Sequence, residues 1–209
     1  MRLGPDLALI YWNRGHCHHQ KGEFDNAIAD HTEAIQLDPK FFPAYYERGL
    51  SNARKGELDN AIADYTEAIR LDPTEAAAYF HRGVSYLMKR EYDKALADFT
   101  ETIRLDPNVA LAYTSRGGCH AEKGRHDEAI ADCTEAIRLD PKDEQAYSMR
   151  GNSFAQKGEY DRAIDDCTEA IRLNPIEPRS YVIRAAAYRA LGDEAKAASD
   201  EKEAQQLGT

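Results

Sequence analysis

The sequence predicts an all-α fold, an α-solenoid of helix-turn-helix units, on three observations. The stretch AYYERGLSNARKGELDNAIADYTEAIRLDP, which starts at Ala44, returns in recognisable form from Ala78, Ala112 and Ala146, a fixed shift of 34 residues. Each copy holds two segments of about a dozen residues with helical apolar periodicity, parted by Lys-Gly or a similar turn. Each copy then closes on Asp-Pro or Asn-Pro, where a proline cannot continue a helix. Self-similarity at such a period marks a repeat array in which one unit dictates the whole fold.

Frames 8–41, 42–75, 76–109, 110–143, 144–177 and 178–209 give six copies, the last degenerate, so the chain reads as a single array over 1–209. Within a copy the first segment, helix A, packs on the second, helix B. Asp25, Asp59, Asp93, Asp127 and Asp161 stand where they are expected to N-cap helix B. Pro39, Pro73, Pro107, Pro141 and Pro175 stop it. In the last copy Ala198 and Gln205 replace recurring aliphatic residues and Glu201 takes a slot held elsewhere by Tyr65 or Phe99, the composition of a C-terminal capping helix.

The chain resembles the tetratricopeptide repeat (TPR) family. The family's succession of aromatic, glycine, alanine, aromatic and proline is matched by Tyr45, Gly49, Ala61, Tyr65 and Pro73, and the match runs through roughly residues 8 to 207. The resemblance implies a right-handed superhelix that presents a concave groove to a protein or peptide ligand. One departure is systematic. The leucine slot before the glycine holds Arg14, Arg48, Arg82, Arg116, Arg150 and Arg184, while Asp30, Asp64, Asp98, Asp132, Asp166 and Asp200 share one place on helix B. On a helical wheel the arginine reaches toward helix B, so the two ladders are expected to bridge each hairpin, shielded from water. A feature present six times maintains the repeat and is no active site.

Composition narrows the function. With 42% hydrophobic and 31% charged residues the 209-residue chain reads as soluble, with no apolar run of membrane-spanning length and no secretory leader, so cytoplasm is the expectation. A net charge of −10 argues against nucleic acid or an anionic membrane as partner. No phosphate-binding loop, nucleophile elbow or H-E-x-x-H occurs, so neither an enzyme nor a cofactor is expected.

The run His16, Cys17, His18 and His19 raises the question of a metal. All four lie in the first helix A. His18 takes a slot that faces helix B, and Cys17 takes the slot of Ser51 and Ser85, a small residue at a tight contact. Only His16 and His19 share another face, and two ligands do not close a zinc site. Cys133 and Cys167 fill the aromatic slot of Tyr65 and Phe99 and read as core thiols.

The second, fifth, ninth and twelfth places of helix A form a stripe turned from helix B. The resemblance implies that this stripe lines the groove. Fifth places read Trp12, Tyr46, Phe80, then Thr114 and Ser148; ninth places read His16, Leu50, Val84, then Gly118 and Asn152; Leu87 is a twelfth place. The family's clamp for acidic chaperone tails needs lysines at fifth places and asparagine or arginine at ninth places, and Asn152 alone matches. The expected site is therefore apolar: Trp12, His16, Tyr46, Leu50, Phe80, Val84 and Leu87, with Arg54 at its edge to meet a carboxylate unless Glu47 neutralises it. A second reading is self-assembly, with Leu7, Leu9 and Ile10 on an uncapped N-terminal face forming a homo-oligomer.

Overall fold

A computed structural model describes residues 4–208, with side chains from Asp6. Its twelve helices form six hairpins: α1 (Gly4–Gln20) with α2 (Phe24–Leu37), α3 (Phe42–Arg54) with α4 (Leu58–Leu71), α5 (Ala76–Met88) with α6 (Tyr92–Leu105), α7 (Ala110–Glu122) with α8 (His126–Leu139), α9 (Glu144–Gln156) with α10 (Tyr160–Leu173), and α11 (Pro178–Ala190) with α12 (Glu194–Leu207). They fall into two compact halves of three hairpins each, one ending at Asp106 and one starting at Pro107.

Two backbone requirements repeat. The turn inside a hairpin needs a left-handed residue, met by Gly22, Gly56, Gly124, Gly158 and Gly192 at φ between 72° and 83°; in the third hairpin Arg90 adopts φ 60° instead. Helix A also approaches helix B closely. A Cβ on Gly49 would lie 2.7 Å from the Tyr65 ring, so only glycine admits an aromatic there. In the last hairpin, where Glu201 replaces the aromatic, Ala185 is tolerated at the same place and is buried.

The arginine and aspartate ladders meet in every hairpin. The closest contacts are 2.5 Å for Arg14–Asp30, 2.6 Å for Arg48–Asp64, 2.7 Å for Arg116–Asp132 and 2.8 Å for Arg82–Asp98, Arg150–Asp166 and Arg184–Asp200. Each guanidinium also lies over the tyrosine three residues before it, as Arg48 does over Tyr45. Its remaining nitrogen reaches back to the preceding hairpin: Nη1 of Arg48, Arg82, Arg150 and Arg184 donates to Thr32, Thr66, Thr134 and Thr168 at 2.9–3.1 Å. The expected shielding holds for these four, whose side chains are 16–21% exposed, and fails for Arg14 at 60%. No helix precedes α1 among the described residues to supply the cover that the other arginines receive.

Three expectations need correction. Asp25, Asp59, Asp93, Asp127 and Asp161 are not N-caps: helix B starts one residue before each, behind Glu23, Glu57, Glu91, Arg125 and Glu159, none of which makes a side-chain cap bond. The aspartates lie in the first turn, where their charge complements the helix dipole. Asp25 and Asp127 accept from Lys55 and Lys157 of the next hairpin at 2.6 and 2.5 Å, and Asp59 pairs likewise with Lys89. Cys17 is exposed, because the slot that buries Ser51 and Ser85 does so against a preceding hairpin. The fifth-place aromatics do not stand free of packing, as described below. On α12, Ala198 and Gln205 are exposed while Ala197, Asp200 and Ala204 are buried.

Candidate functional site: a cleft in the first half

The fifth places of the first three hairpins form a row of aromatics, each engaged by neighbours. Trp12 meets Phe41 edge-on at 5.9 Å and stacks on His16 at 6.2 Å. Tyr46 sits among Phe42, Tyr65 and His81 at 5.8–6.1 Å, and burial pushes its phenol up to about 12. Phe80 packs on His81 and Phe99 at 5.3 and 5.8 Å. All three rings are half-buried. Tyr46 is shared between hairpins, with Tyr65 of its own helix B on one side and His81 of the next hairpin on another, whereas both ring contacts of Phe80 lie within its own hairpin.

Below this row the ninth and thirteenth places open a cleft of roughly 600 Å³. Leu50, Ala53, Val84 and Met88 provide its apolar wall, and His19, Arg54, Tyr65, His81 and Ser85 its polar one. Of the residues expected from the sequence, Leu50, Arg54 and Val84 come together here. Trp12, His16, Tyr46, Phe80 and Leu87 do not line it. Sequence reasoning missed His81, Tyr65 and Met88. Met88 had a signal available, since it lies 34 residues after Arg54, at the same place of the next hairpin, and its side chain is 61% exposed.

The electrostatics are those of an unsatisfied cation. Arg54 is exposed and forms no ion pair among the described residues. Glu47, expected to neutralise it, instead lies 3.3 Å from Nδ1 of His16. Burial, with Arg54 adding to it, holds the His81 imidazole below its ordinary range. Burial likewise lowers His19, whose Nδ1 lies 2.9 Å from the Ser51 hydroxyl. At neutral pH the cleft thus carries one fixed charge beside two neutral imidazoles. The Tyr65 hydroxyl is buried without a hydrogen-bond partner, and its phenol is pushed up by burial.

Outside the cleft the chemistry is quiet. His18 is spent on Glu23 at 2.5 Å, and His16 on Gln20 at 2.7 Å besides Glu47. Among the described residues no three His, Cys, Asp or Glu side chains converge as metal ligands, and no helix is long and apolar enough to cross a membrane. Burial pushes the thiols of Cys119 up to about 11 and of Cys133 and Cys167 up to about 12, so they stay protonated. In the second half a smaller recess of roughly 230 Å³ lies by Ser148, Met149, Glu177 and Arg179.

Paired helices stacked at a 34-residue period, with an engaged aromatic row and a lined cleft, define a helical-repeat interaction protein. The chain belongs to the tetratricopeptide repeat family: models of that repeat match residues 15–56, 46–108, 82–144 and 144–176. Members are protein-interaction modules, generally without catalytic activity. Among solved structures, a MamA protein is 27% identical, with a TM-score of 0.76 over 81% of this chain and 93% of its own. YrrB, described as a TPR protein with an unusual peptide-binding site, is 21% identical, with a TM-score of 0.71 over 85% and 91%. PilF of Pseudomonas aeruginosa, 17% identical, has a TM-score of 0.82 over 98% and 93% and shares the fold. No curated protein sequence matches the chain.

Proposed function

We propose that the chain is a non-catalytic scaffold whose first half binds a peptide segment with an apolar anchor followed by a carboxylate. The observation that carries this reading is the cleft itself, where Leu50, Val84 and the exposed Met88 lie beside a guanidinium with no ion pair. Exposed apolar surface marks an interaction site, and a guanidinium at its edge offers a fork that a ligand carboxylate can fill. The reading moves the anchor from the rings of Trp12, Tyr46 and Phe80 to the aliphatic wall beneath them. It also takes the six hairpins as one array capped by α12, which the unbroken 34-residue spacing across residue 106 supports, and it needs no cofactor.

The test uses ligands captured by the intact chain, followed by binding of the identified peptide. Val84→Asp should abolish capture, and Arg54→Glu should weaken binding about tenfold or more, the loss typical of a desolvated charge pair at an interface. Both variants should melt as the parent does, since neither residue is deeply buried. Undiminished binding by both would overturn the assignment. Assembly through the N-terminal face is the second reading, favoured by Leu9 and Ile10 at 47% and 62% exposure. The charges around them bear on what that face takes.

A further inference from the structure

Of the four junctions between successive hairpins within a half, three carry one polar signature; at the fourth Arg184 still donates to Thr168, but Leu191 stands at the lysine place. Arginine Nη1 donates to a threonine of the preceding helix B, and a lysine seven residues on pairs with an aspartate of that helix: Arg48 with Thr32 and Lys55 with Asp25, Arg82 with Thr66 and Lys89 with Asp59, Arg150 with Thr134 and Lys157 with Asp127. Aspartate and threonine are seven residues apart, two turns along one face. The first hairpin keeps the donating half of this signature, Arg14 and Lys21, and no helix among the described residues precedes it to supply the accepting half. Nε and Nη2 of Arg14 hold Asp30, and its Nη1 makes no hydrogen bond among the described residues. Lys21 has no ion pair among the described residues, since Glu23, the counterpart of the Glu57 that also pairs with Lys55, is taken by His18. Ile10, one turn before Arg14 on α1, is exposed, at the place where Ala44, Ala78, Ala112 and Ala146 are fully buried.

We infer that the α1 face is a second docking site, distinct from the cleft, for a helix of a partner protein that carries a carboxylate, a hydroxyl seven residues later and a small residue nine residues later. The first two meet Lys21 and Arg14. The third follows from Ala34, nine residues after Asp25, which packs with Ala44; a glycine or alanine there leaves room for Ile10. Charge decides against a second copy. On α12 the places equivalent to Asp25 and Thr32 hold Ala195 and Lys202, so end-to-end stacking sets Lys202 against Arg14. Two α1 faces together would oppose like cations.

The probe is a helix-stapled peptide of residues 57–73, carrying Asp59, Thr66 and an Ala68→Gly change, titrated into the isotope-labelled full chain at low salt. Amide shifts are expected on α1 around Ile10, Arg14, Cys17 and Lys21. Lys21→Glu, in an exposed turn, should weaken binding about fivefold or more, and Thr66→Val in the peptide should weaken it too. Shifts confined to Leu50 and Val84, no shifts, or unchanged affinity with Lys21→Glu would each overturn the inference. So would a concentration-dependent dimer of the chain that Ile10→Asp abolishes, which would make the occupant a second copy.

Discussion

The two halves fill one repeat with different chemistry. In the first, the slot facing the helix A glycine holds Tyr65 and Phe99, and the fifth places hold Tyr46 and Phe80, so ring touches ring across each of these hairpins, and His81 links the two. In the second, the slot holds Cys133 and Cys167 and the fifth places hold Thr114 and Ser148, buried and hydrogen-bonded: Thr114 donates to Asp143 at 2.6 Å and Ser148 pairs with Ser180 at 3.0 Å. The hairpin backbone tolerates both because the glycine opposite the slot accepts a ring or a sulfur alike, with a virtual Cβ 2.7 Å from Tyr65 and 2.9 Å from Cys167. Dispersion is undirected and leaves an apolar cleft beside the rings. Hydrogen bonds saturate their partners, and the recess beside Ser148 and Ser180 is smaller.

Substitutions should separate what the halves share from what they do not. Asp98→Ala and Asp166→Ala each strand a mostly buried guanidinium and should cost alike, about 3–5 kcal/mol in chemical denaturation, whereas replacing Arg82 and Asp98 together by apolar residues should cost much less. A large difference between Asp98→Ala and Asp166→Ala would show that the ladder is not common to both halves. Phe99→Ala should also cost about 3–5 kcal/mol, and Cys167→Ala only about 1 kcal/mol, because one removes a ring and the other a single sulfur. By the same logic Tyr46→Ala and Phe80→Ala should lower the melting temperature as well as any binding.

The first hairpin offers a sharper contrast, since His31 occupies the slot. Burial, aided by His19, lowers its pKa to about 4 from the ordinary 6.5. The unfolded chain then binds the extra proton between those values. Stability should be complete above about pH 6.5 and fall as pH drops toward 4, by on the order of 3 kcal/mol, and His31→Phe should flatten that slope in an acid titration of the melting curve. Thr114→Val should cost about 1–3 kcal/mol by leaving the buried Asp143 carboxylate short of a donor. The smallest effect is a gain: Arg90→Gly should add about 1 kcal/mol by relieving the left-handed arginine, measured as a higher melting temperature.

The periodic features were legible in the sequence because they recur. The 34-residue period yields hairpins, glycine turns, proline stops and both charged ladders, and only the end pair, with Arg14 exposed, departs from the shielding expected. What recurrence cannot supply is a local competition. Asp25 reads as an N-cap by residue type, yet the chain enters the helix one residue earlier and its carboxylate goes to Lys55. The helical wheel turns Tyr46 and Phe80 away from helix B, but a long ring bridges a gap that a projection of Cα positions leaves open, so exposure was overestimated there. Cys17 shows the reverse case, where the slot was read correctly and the neighbour that buries it elsewhere is missing.

The arginine fork has a consequence for how the molecule comes apart. One planar group holds its own hairpin closed through Nε and Nη2 and clasps the previous hairpin through Nη1, as Arg82 does with Asp98 and Thr66. In a linear chain of units, the energy of each unit and the coupling between units are separate quantities that together set how many melt at once. Here both pass through the same side chain, so within a half a hairpin that opens also releases its neighbour's grip. Fraying should then begin at the hairpin of Arg14, whose Nη1 clasps no described residue, and run inward as a cooperative front.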